Sequence, residues 1–201
     1  FVGRYGVEQL DEFNTADQRE LYQQLLFLMG RHKYDQQEFD QAVSLFERVD
    51  RQSEHYVEAR FFTGISYVRM RRAAPAVEAF RAIIEALDSG AQGVADPTRM
   101  RNLAWISLAR VYYAAANRTD ESTGEVSFDG RILGNAVDAW NHVGQESEYW
   151  LDAMFESSWA LFLADEYSRA MGNIHALFSP YFERAYSPEA IVLKAVVFFT
   201  A

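Results

Sequence analysis

The side chains able to do chemistry are few and scattered. The four histidines are His32, His55, His142 and His175. None stands in H-E-x-x-H or another ligand spacing, so each reads as a surface or interface histidine. There is no Cys, which excludes disulfides, thiolate nucleophiles and Cys-ligated zinc. The acidic pairs Asp120-Glu121 and Asp165-Glu166 fall where turns are expected, and solvated carboxylates are common there. Residues Asp120 to Asp129 gather oxygen ligands around Gly124. They lack the D-x-[DN]-x-[DN]-G-x5-E order of a calcium loop and read as a flexible loop. Asn117-Arg118-Thr119 fits a glycosylation sequon, which matters only in a eukaryotic secretory setting. No G-x-S-x-G, P-loop or G-x-G-x-x-G occurs. The expectation is a protein with no catalytic residues, no metal and no cofactor.

Composition narrows the partners. Of 201 residues 49% are apolar and 15% aromatic, enough for a sizeable core and against disorder of the whole chain. The 19 basic residues face 29 acidic ones, a net charge of -10 that repels phosphate backbones, so nucleic acid is not expected as a partner. The tightest basic cluster, Arg69, Arg71 and Arg72, sits where a helix should end and cations meet its negative pole. No run reaches the 18–20 apolar residues of a membrane helix. The longest candidate, Ala190 to Ala201, is interrupted by Lys194. No signal peptide opens at Phe1, and the missing initial Met reads as a piece of something larger.

These scattered groups must be positioned by helices. Residues 1–14 have mixed character and read as a connector or the end of a preceding helix. Thr15-x-x-Gln18 has the form of a capping box. A helix then runs to about Tyr34, with Leu21, Leu25, Leu28 and Met29 at helical spacing. A second carries Phe39, Ala42, Val43, Phe46 and Val49. The pattern returns 34 residues on: Gly30, Ala42 and Phe46 become Gly64, Ala76 and Phe80. A period of this size marks stacked helical repeats. Asp96-Pro97 starts a third pair as an N-cap followed by Pro at the first helical position. Within it, residues 116–130 read as an exposed inserted loop. Tyr167 to Leu177 closes a fourth pair, and Ser187-Pro188-Glu189 caps a last helix with Ile191, Ala195 and Phe198. That helix has no mate before Ala201 and should expose an apolar side.

Trp105-x2-Leu108-Ala109-x2-Tyr112, followed by Ala136 and Trp140, resembles the W-x2-L-[GA]-x2-Y and Ala–aromatic pattern of the tetratricopeptide repeat. The resemblance covers residues 15–201, with repeats at about 17–55, 56–90, 97–146 and 148–184 and an unfinished helix at 187–201. It loosens in the fourth, where the small residue is Ser158 and the aromatic is Ile174. It implies an all-α fold, a right-handed superhelical solenoid of antiparallel helix pairs. Gly30, Gly64, Ala109 and Ser158 would let helices approach, and Phe46, Phe80 and Trp140 would fill the gap between successive hairpins.

The face of each first helix opposite its small residue would line a concave groove. Those positions include Phe27, Arg31 and Tyr34, then Phe61 and Ile65, then Ile106, Arg110 and Tyr113, then Phe155, Trp159 and Phe162. Aromatics with Arg are typical interface anchors, although a tightly wound superhelix would bury the same residues. Chaperone-binding members of the family clamp a terminal carboxylate with Lys and Asn. Here those places hold Phe27, Arg31, Phe61 and Ile65, which suits an apolar peptide or amphipathic helix better. The expected function is therefore a non-catalytic scaffold that binds a protein or peptide partner. The run Ala59 to Ile84 looks like repeats of bacterial envelope assembly proteins. An accessory or regulatory domain of a larger enzyme or signalling protein is the alternative.

Overall fold

Nearly every core residue lies on a helix. The structure, a computed structural model, describes residues 7–182 and 188–200. Ser187 and Ala201 lie outside the described residues, as do the first six. The helices are α1 (Arg19–Asp35), α2 (Phe39–Glu47), α3 (Tyr56–Arg69), α4 (Ala73–Asp88), α5 (Pro97–Ala116), α6 (Gly130–Asn141), α7 (Trp150–Leu163), α8 (Tyr167–Leu177) and α9 (Pro188–Thr200). Two short strands, β1 (Asn117–Thr119) and β2 (Val126–Phe128), separate α5 from α6. Among the described residues no helix is long and apolar enough to cross a membrane.

The chain divides into two compact units, residues 1–104 and 105–201, with the boundary inside α5 and thus inside the third expected repeat. In unit 1, α1 packs on α2 and α3 on α4, and α2 also packs on α3. Its core gathers Leu26, Phe27, Met29, Leu45, Phe46 and Ala59. The two helix pairs obey one rule. A Cβ added to Gly30 would lie 2.5 Å from the Phe46 ring, and one added to Gly64 would lie 2.7 Å from the Phe80 ring. The ring of the second helix thus seats directly on the glycine of the first. Phe46 also stacks on Phe62 at 5.8 Å, so it reaches the next hairpin as well.

The hairpin turns repeat too. Gln37 and Arg71 both take left-handed φ, 63° and 57°. The amides after them reach back to the last helical turn, Glu38 N to Lys33 O and Arg72 N to Tyr67 O. These are Schellman closures with a non-glycine at the left-handed position. Asp165, with φ 60°, closes α7 the same way through Glu166 N to Leu161 O.

Unit 2 repeats the internal plan of unit 1 at an offset of 94 residues. Ser53 caps its turn through His55 N to Ser53 Oγ, and Ser147 does so through Tyr149 N, both at 3.2 Å. The fully buried Ala42, Ala59 and Ala76 correspond to the buried Ala136, Ala153 and Ala170. Phe46 and Phe80 correspond to Trp140 and Ile174, also buried. The α1 positions correspond to α5 at 79 residues instead, because the strand hairpin adds the difference.

Several local expectations are corrected. Thr15 forms no side-chain cap; a 3-10 turn over Ala16–Gln18 intervenes before α1. Residues Val7–Phe13 also form a 3-10 helix, tied down by buried Leu10 and by Asp11 bonded to Arg48. Leu21 and Leu28 are exposed; α1 buries Met29 as expected, and with it Tyr22, Leu26 and Phe27. The inserted segment is not a loop alone but an antiparallel hairpin pairing Asn117 with Phe128 and Thr119 with Val126. Asp120 closes its turn by accepting from the Ser122 and Thr123 amides. In α9 the buried residues are Ala190, Leu193 and Val197, while Ile191, Ala195 and Phe198 are exposed. The cap at Asp96 forms, accepting from Arg99 N at 2.8 Å.

Candidate functional site

The candidate site is built within unit 2 by three helices. α5 brings Arg110 and Tyr113, α6 brings Trp140, and α7 brings Phe155, Glu156 and Trp159. Together they line a cavity of about 280 Å³. α6 is held at its start by Asp129, which accepts from the Arg131 and Ile132 amides and from the Arg118 guanidinium. The hairpin that ends at Asp129 also sets Phe128 beside Tyr113, with ring centres 6.4 Å apart. α7 follows the Ser147 turn, where Trp150 N donates to Ser147 O at 3.0 Å, and presents Phe155 and Trp159 to the cavity.

A hydrogen-bonded cluster holds one wall. Arg110 Nε donates to both Glu156 oxygens at 3.0 and 2.9 Å, and its terminal nitrogen donates to Oε1 at 2.6 Å. Trp140 Nε1 donates to Glu156 Oε2 at 3.0 Å. Asp152 stands 4.0 Å from the same guanidinium. The hydrogen bonds to Glu156 raise the Arg110 pKa, burial opposes the rise, and the charges of Glu156 and Asp152 add to it. Burial pushes the Tyr113 phenol up; a hydrogen bond with Trp159 partly offsets this, and the Glu156 charge adds to the rise. The Tyr113 and Trp140 rings meet at 6.0 Å. The result is an aromatic box in which both oxygens of the lining carboxylate, Glu156, are occupied by donors.

Of the expected row, Arg110, Tyr113, Phe155 and Trp159 come together here. Phe162 lies alongside, 5.7 Å from Trp159 and 5.8 Å from Tyr167. Two members are corrected: Phe27 is 7% exposed and Ile106 is 0% exposed, so both are core side chains with no surface to offer. Phe27 is covered by a flat stack with His55 at 5.1 Å and by Phe46 and Phe62. In unit 1, Arg31, Tyr34, Phe61 and Ile65 are half-buried. Arg31 and Tyr34 close on Phe62: the guanidinium lies over that ring at 4.1 Å and Tyr34 meets it edge-on at 5.2 Å. Phe61 packs against Phe62 and Phe80.

Sequence reasoning missed Glu156 and read Trp140 as packing only. The signal was present in the repeat itself. Counting 94 residues back from Glu156 gives Phe62, an apolar-to-acid exchange at a position that faces the core in unit 1. Among the described residues no three His, Asp or Glu side chains converge to hold a metal ion. No protein-family model matches the chain, and no curated protein matches it in sequence. The likeness to tetratricopeptide repeats rests on the residues quoted above.

Proposed function

We propose that this chain is a non-catalytic scaffold of the tetratricopeptide-like type, and that its second unit binds a segment of a partner protein. The observation that carries the reading is the cavity lined by Arg110, Tyr113, Trp140, Phe155, Glu156 and Trp159. Concave aromatic surface with a few fixed polar groups is the usual character of a binding site. Tyr, Trp and Arg are also the residues over-represented among interface anchors. The carboxylate is spent on Arg110 and Trp140, which leaves it poorly placed as a general base and supports binding over catalysis.

Panning a displayed random-peptide library against the full chain tests this. Peptides that bind the wild type should lose binding at least tenfold to the Tyr113→Ala, Trp159→Ala double variant, with its fold checked by circular dichroism. If every enriched peptide binds the double variant as well as the wild type, or if none enriches, the pocket is not a segment-binding site.

A further inference from the structure

Unit 1 contains the same place already filled. At the position of Glu156 it carries Phe62, at Trp140 it carries Phe46, and at Trp159 it carries Ile65. At Arg110 and Tyr113 it carries Arg31 and Tyr34. Phe62 stacks on Phe46 at 5.8 Å with the planes 26° apart, takes the Tyr34 edge at 5.2 Å, and lies under the Arg31 guanidinium at 4.1 Å. A phenyl ring is thus what this arrangement of helices holds when it supplies its own occupant. In unit 2 the ring is absent. Glu156 has replaced it and is drawn to Arg110 and Trp140, and a cavity of about 280 Å³ stands there.

The geometry points to a seat for an aromatic side chain of the phenyl class, inserted by a partner protein where Phe62 inserts in unit 1. This assignment rests on the segment-binding reading above and names what the segment brings. A ring there would have Trp140 and Tyr113 as walls and the Arg110 guanidinium for its face, a cation–π contact. The residues flanking the ring are basic. Residues 105–201 carry 13 Asp and Glu against 6 Lys and Arg, so unit 2 holds -7 of the chain's -10. Asp152 adds an exposed carboxylate beside the seat. The complement is a Phe or Tyr set among Lys and Arg.

The test uses the full chain and three five-residue peptides with two Lys on each side of a central Phe, Ala or Arg. The readout is the indole N–H resonances of Trp140 and Trp159 during titration to millimolar peptide. The Phe peptide should give a saturable shift at least tenfold tighter than the Ala peptide. Glu156→Phe restores the ring that unit 1 has and should abolish that shift. Tyr113→Ala, which removes one wall of the seat and keeps both indole reporters, should weaken binding at least tenfold; it decides the matter if Glu156→Phe does not fold, and undiminished binding by Tyr113→Ala would overturn the assignment. Equal binding of the Phe and Ala peptides, an Arg peptide as tight as the Phe peptide, or full binding by folded Glu156→Phe would each overturn the assignment. So would no shift at all. Library peptides that depend on the pocket yet contain no aromatic residue would sink this inference and leave the segment-binding reading standing. A library with no pocket-dependent peptide would sink both.

Discussion

At the residue scale the same close contact recurs in both hairpins of unit 1, the Phe46 ring on Gly30 and the Phe80 ring on Gly64. Both rings are buried, and a Cβ added at Gly64 would lie 2.7 Å from Phe80, so one of the two must move. Gly64→Leu should therefore overpack the hairpin and cost about 1–3 kcal/mol or more, read as a lower urea midpoint at unchanged slope. Trimming the ring as well, in Gly64→Leu with Phe80→Ala, should cost less than the two single changes added together, since the residues share one space. These pairs were legible because small residue and ring recur at the same 34-residue offset. Glu156 was not, because a single acid on an apolar helix reads as a solvent position until its donors are seen. Phe27 and Ile106 were misplaced for a related reason. A helical wheel tells which face a side chain is on, not whether His55 and Phe62 cover it. Asp129 gives a prediction in pH. Its pKa lies below the ordinary aspartate range, first through the Ile132 amide bond, then through the charge of Arg118 and the bond from the Arg131 amide. A carboxylate depressed in the folded state contributes its stability above its unfolded pKa and loses it as pH falls through the folded one. Below about pH 4, the Arg131 and Ile132 amides should exchange with solvent faster than the amides of the α6 interior. Equal loss of protection along α6 would show that the cap does not hold its start.

At the element scale the turns say more than the helices. Gln37, Arg71 and Asp165 all occupy the left-handed position after a helix, where Gly is usual and a Cβ meets the carbonyl oxygen. All three side chains are exposed. Arg71→Gly should raise stability by about 0.5–1 kcal/mol, the strain relieved minus the flexibility gained by the unfolded chain. Thermal melts of Arg71→Gly and of Arg71→Ala separate the cause, because Ala removes the charge without relieving φ and should give no gain. The helices themselves were readable from apolar spacing. Their starts were read less well, since Thr15 has the right neighbours for a capping box but a 3-10 turn uses that stretch differently. The hairpin between α5 and α6 was hidden because its strands are three residues each and polar, with little for a pattern to show. Its consequence is positional: it delivers Asp129 to the start of α6 and Phe128 to Tyr113.

At the scale of the whole molecule the two units share a plan but not a charge. Residues 1–104 hold 16 Asp and Glu against 13 Lys and Arg, a formal -3, while residues 105–201 hold -7. In unit 1 Phe62 stacks on Phe46, and the cavity lined by Arg110, Trp140 and Trp159 lies in the more acidic unit. On the proposal that unit 2 seats a partner's ring, a basic segment is drawn there by charge and held by the ring. These contributions separate in salt, because the Debye length shortens from about 10 Å at 0.1 M to about 3 Å at 1 M. A lysine-flanked Phe peptide should bind unit 2 several-fold more weakly across that range. Uncharged N-acetyl-phenylalaninamide should keep its weaker affinity, since burial of a ring is not screened and is not reduced by added salt. Asp152→Asn should flatten the salt dependence of the peptide and leave the uncharged ligand where it was. A salt dependence unchanged by Asp152→Asn would place the steering charge elsewhere on unit 2. Loss of both ligands with rising salt would mean that the Arg110–Glu156 wall opens when screened, which the Trp140 indole resonance would report without any ligand present.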